Sequence, residues 1–467
     1  MTDPREAATA DPLAAGQGES IWGAGYRWVT VGAVSLVFLA AIQALAVTTV
    51  MPIVSADLQG ETLYAVAFAG TLATSVIGMV AVGAWSDRSG PKAPLYAAVA
   101  LFVIGLVVAG LASTMPFLVV GRLIQGLGLG GETVALYVVV ARIYPASIHG
   151  RVFAAFSAAW VVPSLIGPFL AGAVTEYLHW RWVFLGVAVL TVIAFTMVAL
   201  KLHGIALHTD EPSDRGRVLV RLACAVVVAV GALGLSLAGG FGAWSVLAVA
   251  ASVIVIGLAA RPLLPPRTLR SARGLPSVIL MRGLIAGALF GAEIYVPYLL
   301  IAEFDFSPTW AGLGLTAAAL LWAAAADVQG RFGDRIGNTR ITLIGTGLLF
   351  TALLVATATA FAHLHPAVLI AGWALAGAGM GLMYPRLTVL TLAYSTPQNQ
   401  GFNSSALSIS DAIGASAAIA VMGLVFTALL GTEAGFWSVF AIAAVLALLA
   451  LVPGLRLGHA HEAAPHR

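Results

Sequence analysis

Fourteen apolar runs account for most of this sequence, and nothing else constrains its fold as tightly. They fall at about 29–52, 63–85, 94–114, 116–142, 150–177, 181–202, 218–239, 243–263, 277–302, 309–330, 340–361, 365–394, 404–430 and 434–455. Each reaches the roughly 20 residues that an α-helix needs to cross a hydrocarbon core about 30 Å thick. A helix satisfies its own backbone groups, which lipid cannot do for it. Only 9% of the 467 residues are charged, 60% are hydrophobic, and mean hydropathy is +0.98. A soluble domain carries about 25% charged residues, so a water-facing enzyme or nucleic-acid binder is excluded. The expected fold is an all-α membrane protein with 14 transmembrane helices.

The positive-inside rule then orients the chain. With the N-terminus in the cytoplasm and alternating sides, 21 of the 23 Lys and Arg fall in cytoplasmic segments or, for Arg386, in the cytoplasmic half of a helix. Arg282 is counted here among the cytoplasmic residues, and only Arg122 and Arg181 are left over. The outer loops instead collect Asp57, Glu61, Glu176, Glu303, Asp305 and Glu433. Both termini are predicted to be cytoplasmic, with the chain a multi-pass protein of the plasma membrane. The basic pI of about 9.1 therefore needs no nucleic-acid partner. Asp3, Glu6, Asp11 and Glu19 precede a first apolar run of more than 20 residues, a pattern unlike a cleaved signal peptide. The single cysteine, Cys224, cannot form an intrachain disulfide and reads as a small buried hydrophobe.

An internal repeat divides the spans. GAWSDRSGPK (83–92) follows the second run and GRFGDRIGNTR (330–340) follows the tenth, so that Gly83, Asp87, Arg88 and Gly90 recur 247 residues later as Gly330, Asp334, Arg335 and Gly337. If two helices are inserted in the middle, each motif lies between the second and third helices of a six-helix half. The predicted organisation is a cytoplasmic tail (1–28), an N-terminal six-helix bundle (29–202), a linker (203–217), the inserted pair (218–263), a second linker (264–276), a C-terminal six-helix bundle (277–455) and a cytoplasmic tail (456–467). Repeated halves suggest lobes that rock around a central cavity. In the motif loops Gly90 is suited to a tight turn with φ > 0. Asp87, Arg88, Lys92 and their counterparts Asp334 and Arg335 can bond to neighbouring helix ends and latch the lobes; the alternative is an ordinary solvated basic loop.

Ionisable residues inside the spans point to function. Glu132 is expected near the centre of the fourth helix, Asp411 two turns into the 404–430 run, and Glu293 in the outer half of 277–302 just before Pro297. A carboxyl in a low-dielectric site can hold a proton near neutral pH and exchange it as access alternates. The alternatives are a protonated acid bonded between helices for Glu132, a salt bridge with Arg386 for Asp411, and an interfacial position for Asp327. Arg122, in the outer part of the fourth helix, must face protein or a water-filled cavity, or bond helix carbonyls. Gly167-Pro168 permits a kink in the fifth helix, and Gly172 permits close packing. Gln43, Tyr137, Trp160, Tyr295, Tyr298, Trp322, Trp373, Tyr384 and Asn403 are candidates for a mostly apolar cavity, with interfacial anchoring as the alternative for the aromatics. All nine histidines fall in loops, linker or tail, and no H-E-x-x-H or G-x-x-x-x-G-K-[ST] pattern occurs, so neither an enzyme nor an ATP-driven pump is expected.

GAWSDRSGPK resembles the loop 2–3 signature of the major facilitator superfamily. RLIQGLGLGG (122–131) resembles that family's fourth-helix motif, and PSLIGPFLAG (163–172) its fifth-helix antiporter motif, with Pro163 where the family often has Gly. WRWVFL (180–185) and RPLLPPRTL (261–269) resemble the 14-helix drug:proton antiporter branch. The resemblance implies a role for Arg122 in proton transfer and marks the 163–172 motif as one of exporters. It also implies a first-helix Asp nine residues before the closing Pro52, where this sequence has Gln43. The function so implied is proton-coupled efflux of lipophilic or cationic drug-like compounds by alternating access. Export of one metabolite or lipid, or a membrane sensor that does not transport, are the alternatives. The expected partners are a small-molecule substrate, protons and the lipid bilayer, with no cofactor, no metal and a monomeric state.

Overall fold

The computed structural model describes residues 21–23, 26–202, 215–396, 399–432 and 434–457. The two tails, most of the 203–217 linker and Glu433 lie outside the described residues. The helices are α1 (Arg27–Asp57), α2 (Tyr64–Ser89), α3 (Lys92–Gly110), α4 (Met115–Ile143), α5 (Ala146–Tyr177), α6 (Arg181–Leu202), α7 (Arg215–Leu237), α8 (Ser245–Ala260), α9 (Leu275–Glu293), α10 (Tyr295–Ala302), α11 (Pro308–Ile336), α12 (Asn338–Ala362), α13 (Pro366–Ala393), α14 (Gln400–Ala428), α15 (Ala434–Leu449) and α16 (Leu451–Gly454). With α9–α10 and α15–α16 each forming one broken span, 14 helical segments among the described residues are long and apolar enough to cross a membrane. The break in the ninth span follows from Pro297, which has no N–H to donate to the Glu293 carbonyl one turn earlier. The chain ends of the spans sort into an acidic end, carrying Asp57, Glu61 and Glu303, and a basic end, carrying Arg88, Arg142 and Arg335.

The motif segments are not loops. Helix α2 continues through Asp87 and Arg88 to Ser89, and α11 through Arg335 to Ile336. The turns themselves are short: Gly90 (φ 79°) and Gly337 (φ 89°) close the two helices in matching conformations. Both positions need the left-handed φ that glycine adopts without strain.

The repeat extends into packing. In one half, Cβ atoms added at Gly126 and Gly130 of α4 would overlap the carbonyls of Thr71 and Ser75 of α2. In the other, Gly377 and Gly381 of α13 stand in the same relation to Ala318 and Trp322 of α11. Gly128 against Ala98 and Phe102 of α3 is likewise matched by Gly379 against Gly345 and Leu349 of α12. The partners α2, α3 and α11, α12 keep the 247-residue spacing, whereas the glycines are 251 residues apart. The four extra residues are about one helical turn and accompany a longer α12, 25 residues against 19 for α3. Between helices in lipid there is little hydrophobic drive to associate, and close backbone approach at small residues supplies the packing.

Helix α7 lies against both α2 and α14. Leu233 reaches Gly70, Leu424 reaches Gly239 just beyond the end of α7, and the Arg221 guanidinium stacks 4.8 Å from the Phe402 ring. Val76, Ala225, Val228, Ile279, Ala406 and Ile409 make a small second core there. Helix α8 packs on α7 and exposes Val246, Leu247 and Ile254, with Trp244 exposed just before it, as expected of a lipid-facing surface.

Candidate functional site

The first and last sextets of spans meet through the acidic-end halves of four helices. Gly172 of α5 abuts the backbone of Pro308 and Thr309, and Gly312 of α11 abuts the Pro168 carbonyl. Thr309 Oγ1 donates to Glu176 (2.6 Å) and Thr316 Oγ1 to the Leu165 carbonyl (3.2 Å). Across the other seam, Ser416 Oγ of α14 donates to the Ala69 carbonyl of α2 (2.7 Å). Thus Gly172 and Pro168 form a contact between halves, while α5 runs without a break through Pro163 and Pro168. A Cβ added at Gly167 would meet Leu45 at an ordinary 3.8 Å.

Above these contacts sits an aromatic plug. Tyr64 Oη donates to the Ile294 carbonyl at 2.5 Å, at the α9–α10 break. Its ring lies 5.7 Å from Tyr295 and 4.9 Å from Tyr298, which pack in turn on Phe426 and Phe436. Tyr295 and Tyr298, expected to line a cavity, are instead part of this plug, and Tyr295 is fully buried. Glu293, half-buried, is the last residue of α9 directly beneath it.

Towards the basic end, one ionic cluster occupies the middle of the C-terminal half. Arg282, two turns into α9, forms a forked pair with Asp411 of α14, Nε to Oδ1 at 3.1 Å and Nη2 to Oδ2 at 3.2 Å. Their side chains are 8% and 19% exposed, so the pair is largely removed from solvent. Nη1 donates to the Tyr384 carbonyl (3.0 Å) and to Thr388 Oγ1 (3.2 Å). The Tyr384 hydroxyl donates to Asp411 Oδ2, and the guanidinium carbon sits 3.0 Å from the Tyr384 ring centroid. Trp322 of α11 meets Tyr384 edge to face at 5.5 Å. From the other half, Tyr137 of α4 is near enough to interact with the Arg282 charge; it is 43% exposed and stacks on Phe156 of α5, four residues before the exposed Trp160.

Two expectations are corrected here. Asp411 does not pair with Arg386, which donates from Nε to Asn338 Oδ1 at 2.6 Å. Nor is Arg282 a cytoplasmic loop residue: its burial inside α9 was hidden because the positive-inside count absorbed it, although it falls within the predicted 277–302 run. A charge inside a span was the available signal.

The N-terminal half keeps Arg122, Glu132 and Gln43 apart from one another. Arg122 is buried and donates to the Ala67 carbonyl (3.2 Å) and to Gln125 Oε1 (2.6 Å), the carbonyl-bonding alternative. Glu132 is 2% exposed and its Oε2 has no hydrogen-bond partner. It follows Gly121, Gln125 and Gly128 along the side of α4 that packs on α3. Gln43 is buried with neither amide atom bonded. Trp373 belongs to the apolar core, and Asn403 bonds Ser395 and Asn399 to hold the α13–α14 turn; neither lines an open space. Asp327 forms an exposed pair with Arg331 one turn along α11. On the basic end, Gly83 lies near Val134, Asp87, Arg88 and Arg335 are exposed, and Lys92 opens α3; the side chain of Asp334 lies outside the described residues. At the acidic end, WRWVFL acquires a structural role: Trp180 Nε1 donates to Asp57 (2.8 Å), and Arg181 donates to the Ala112 carbonyl (2.8 Å).

The comparisons with known proteins agree with this architecture. The family model described as Major Facilitator Superfamily matches residues 33–290 and 278–466. An uncharacterized MFS-type transporter of Mycobacterium tuberculosis is 27% identical over 427 residues, 85% of this chain and 59% of its own length. The multidrug transporter protein MdtP of Bacillus subtilis is 24% identical over 418 residues, 85% of this chain and 74% of its own length. The chain thus spans about three fifths of the mycobacterial relative. Among solved structures, a POT family transporter in complex with a thioalcohol-conjugated peptide superposes with a TM-score of 0.69 at 17% identity, covering 92% of this chain and 96% of its own. A D-xylose-proton symporter gives 0.65 at 14% identity, covering 94% and 98%. With matches to the family model that together run through both halves of the repeat, the chain belongs to the major facilitator superfamily, a family of membrane transporters.

Proposed function

We propose that this chain is a secondary exporter of the 14-helix drug:proton antiporter branch, moving lipophilic or cationic drug-like compounds out of the cell in exchange for protons. In this reading it works as a monomer in the plasma membrane, both termini cytoplasmic, with no cofactor. The observation that carries it is Asp411: a carboxylate in mid-span, paired with Arg282 and hydrogen-bonded by Tyr384, whose ring meets Trp322, with Tyr137 of the opposite half within electrostatic reach of Arg282. The 163–172 motif and the likeness to a multidrug transporter of Bacillus subtilis support export of multiple compounds.

With the halves joined near the acidic end, cargo enters from the basic, cytoplasmic end. Opening the aromatic plug then requires Tyr64 to leave the Ile294 carbonyl. A proton arriving from outside competes with cargo for the carboxyl, and the difference in proton affinity between the two states drives return. Gln43 cannot titrate, so coupling falls to Asp411, with Glu132, Glu293 and Arg122 as further members of the proton pathway. Asp87, Arg88, Lys92, Asp334 and Arg335 bias the switch from the cytoplasmic face. A dedicated lipid exporter is the second reading. The exposed Val161, Val162, Leu320 and Leu321 beside the α5–α11 seam favour it, since that seam lacks the cover that α7 gives α2–α14.

The test is flux of a panel of fluorescent cations and lipophiles in proteoliposomes under an imposed pH gradient. Wild-type flux should follow the gradient and Asp411→Asn should lose it. Gradient-independent flux retained by Asp411→Asn, Glu132→Gln and Glu293→Gln alike overturns proton coupling, and no flux of any probe leaves the sensor reading.

A further inference from the structure

The Arg282 guanidinium is a planar organic cation that already occupies a receptor. Its donors meet four acceptors: both Asp411 oxygens, the Tyr384 carbonyl and Thr388 Oγ1. Its face lies on the Tyr384 ring, which Trp322 meets edge to face. A forked carboxylate contact with an aromatic face suits delocalised N–H cations far better than a point charge or a cation without donors. The other border is not closed by the C-terminal half: Thr388 and Tyr137 are both exposed, and Tyr137 belongs to the opposite lobe. The site is therefore built for a guanidinium and has an open approach.

We propose that Arg282 is an internal competitor for the substrate site, and that the cargo it excludes defines the cargo the site prefers: flat amidinium or guanidinium cations carrying N–H donors. Such a cargo displaces Arg282 from Asp411 and takes its place against Tyr384, while Arg282 moves towards Tyr137. When the site is empty, Arg282 neutralises Asp411 so that no buried charge is left alone. A cation that cannot donate hydrogen bonds gains the charge attraction but not the fork, and competes poorly. The inference rests on the exporter reading for the location of the cavity, but its own content is ligand class and competition.

The test measures binding to purified full-length protein of two probes, the bis-amidine dye 4′,6-diamidino-2-phenylindole and tetraphenylphosphonium, which has no N–H. Wild type should bind the amidine more tightly. Arg282→Gln removes the competitor and should tighten amidine binding about tenfold more than phosphonium binding, the size of one desolvated cation–aromatic or forked contact. Arg282→Lys, which keeps the charge without the planar fork, should fall between and guards against a Gln variant that fails to fold. Asp411→Asn should abolish the preference. Equal tightening for both probes overturns the proposal, because it reports only the lost positive charge. So does unchanged amidine affinity in both Arg282 variants, or no amidine binding by any form. Amidine preference without gradient-driven flux would keep this site and sink the exporter reading. Flux of both probes with no Arg282 effect would do the reverse.

Discussion

Helices α4 and α13 hold equivalent places in the two halves and carry opposite chemistry. The same glycines press on the same partner carbonyls, Gly126 and Gly130 in one and Gly377 and Gly381 in the other. On that shared frame α4 bears Arg122 and Glu132, whereas the positions matched by the glycine register in α13 are Trp373 and Met383, both fully buried. Met383 packs on Gly345 and accepts from Thr346 at 3.3 Å, just where Glu132 faces α3. The C-terminal half places its charges elsewhere, on α9 and α14, and pairs them. One half thus buries Arg122, Glu132 and Gln43 apart from one another, the last two with unbonded oxygens, and the other buries a neutral, hydrogen-bonded pair. Packing frame and polar content are separable: glycines fix helix approach, and the residues between them vary without disturbing it.

The comparison is sharpest at the pair. Asp411→Asn or Arg282→Gln leaves one partner without its counter-charge and should cost about 3–5 kcal/mol, read as a large fall in thermal midpoint in detergent, whereas Arg282→Met with Asp411→Leu should recover most of it. Next are the glycines. Gly126→Ala and Gly377→Ala should each cost about 1–3 kcal/mol by driving a methyl into a carbonyl, and similar losses in both confirm the shared frame. A loss in one half alone breaks it. Glu132→Met copies the residue at the matching position and should raise stability by about 1 kcal/mol, since it removes an unsatisfied buried oxygen. If that variant also keeps gradient-driven flux, Glu132 has no part in coupling. Smallest of all, Gly90→Ala and Gly337→Ala should each cost about 1 kcal/mol, because both turns need positive φ.

The pattern of what was legible follows from these contacts. The spans, the sorting of acidic and basic residues to opposite ends and the repeated Gly-x-x-x-Asp-Arg-x-Gly segment could be read from composition and spacing. The turn at Gly90 was read correctly and Gly337 repeats it, but the residues before them are helical, since an apolar run says where lipid ends and not where a helix stops. Asp411 was singled out as an acid in a span, with a salt bridge to Arg386 as the alternative reading, whereas its partner is Arg282, because pairing depends on which faces of α9, α13 and α14 converge. Trp373 and Tyr295 looked like cavity aromatics; large rings suit a cavity wall and a packed core equally well, and only their neighbours decide. The α7–α8 pair was placed in sequence between the halves, with nothing to show that α7 lies against the α2–α14 seam.

What the sequence determined alone is what a bilayer dictates locally: a polar backbone in lipid must close its own hydrogen bonds, so length and apolarity suffice to name 14 helices, and the basic residues between them suggest sides. What the tertiary structure decided is which buried charges meet. Arg282 and Asp411 are 129 residues apart, and their 3.1 Å contact exists only because glycine and serine contacts bring α9 against α14. A charge within a span announces that it needs a partner, but the partner is chosen by helix rotation and register, which long-range packing sets.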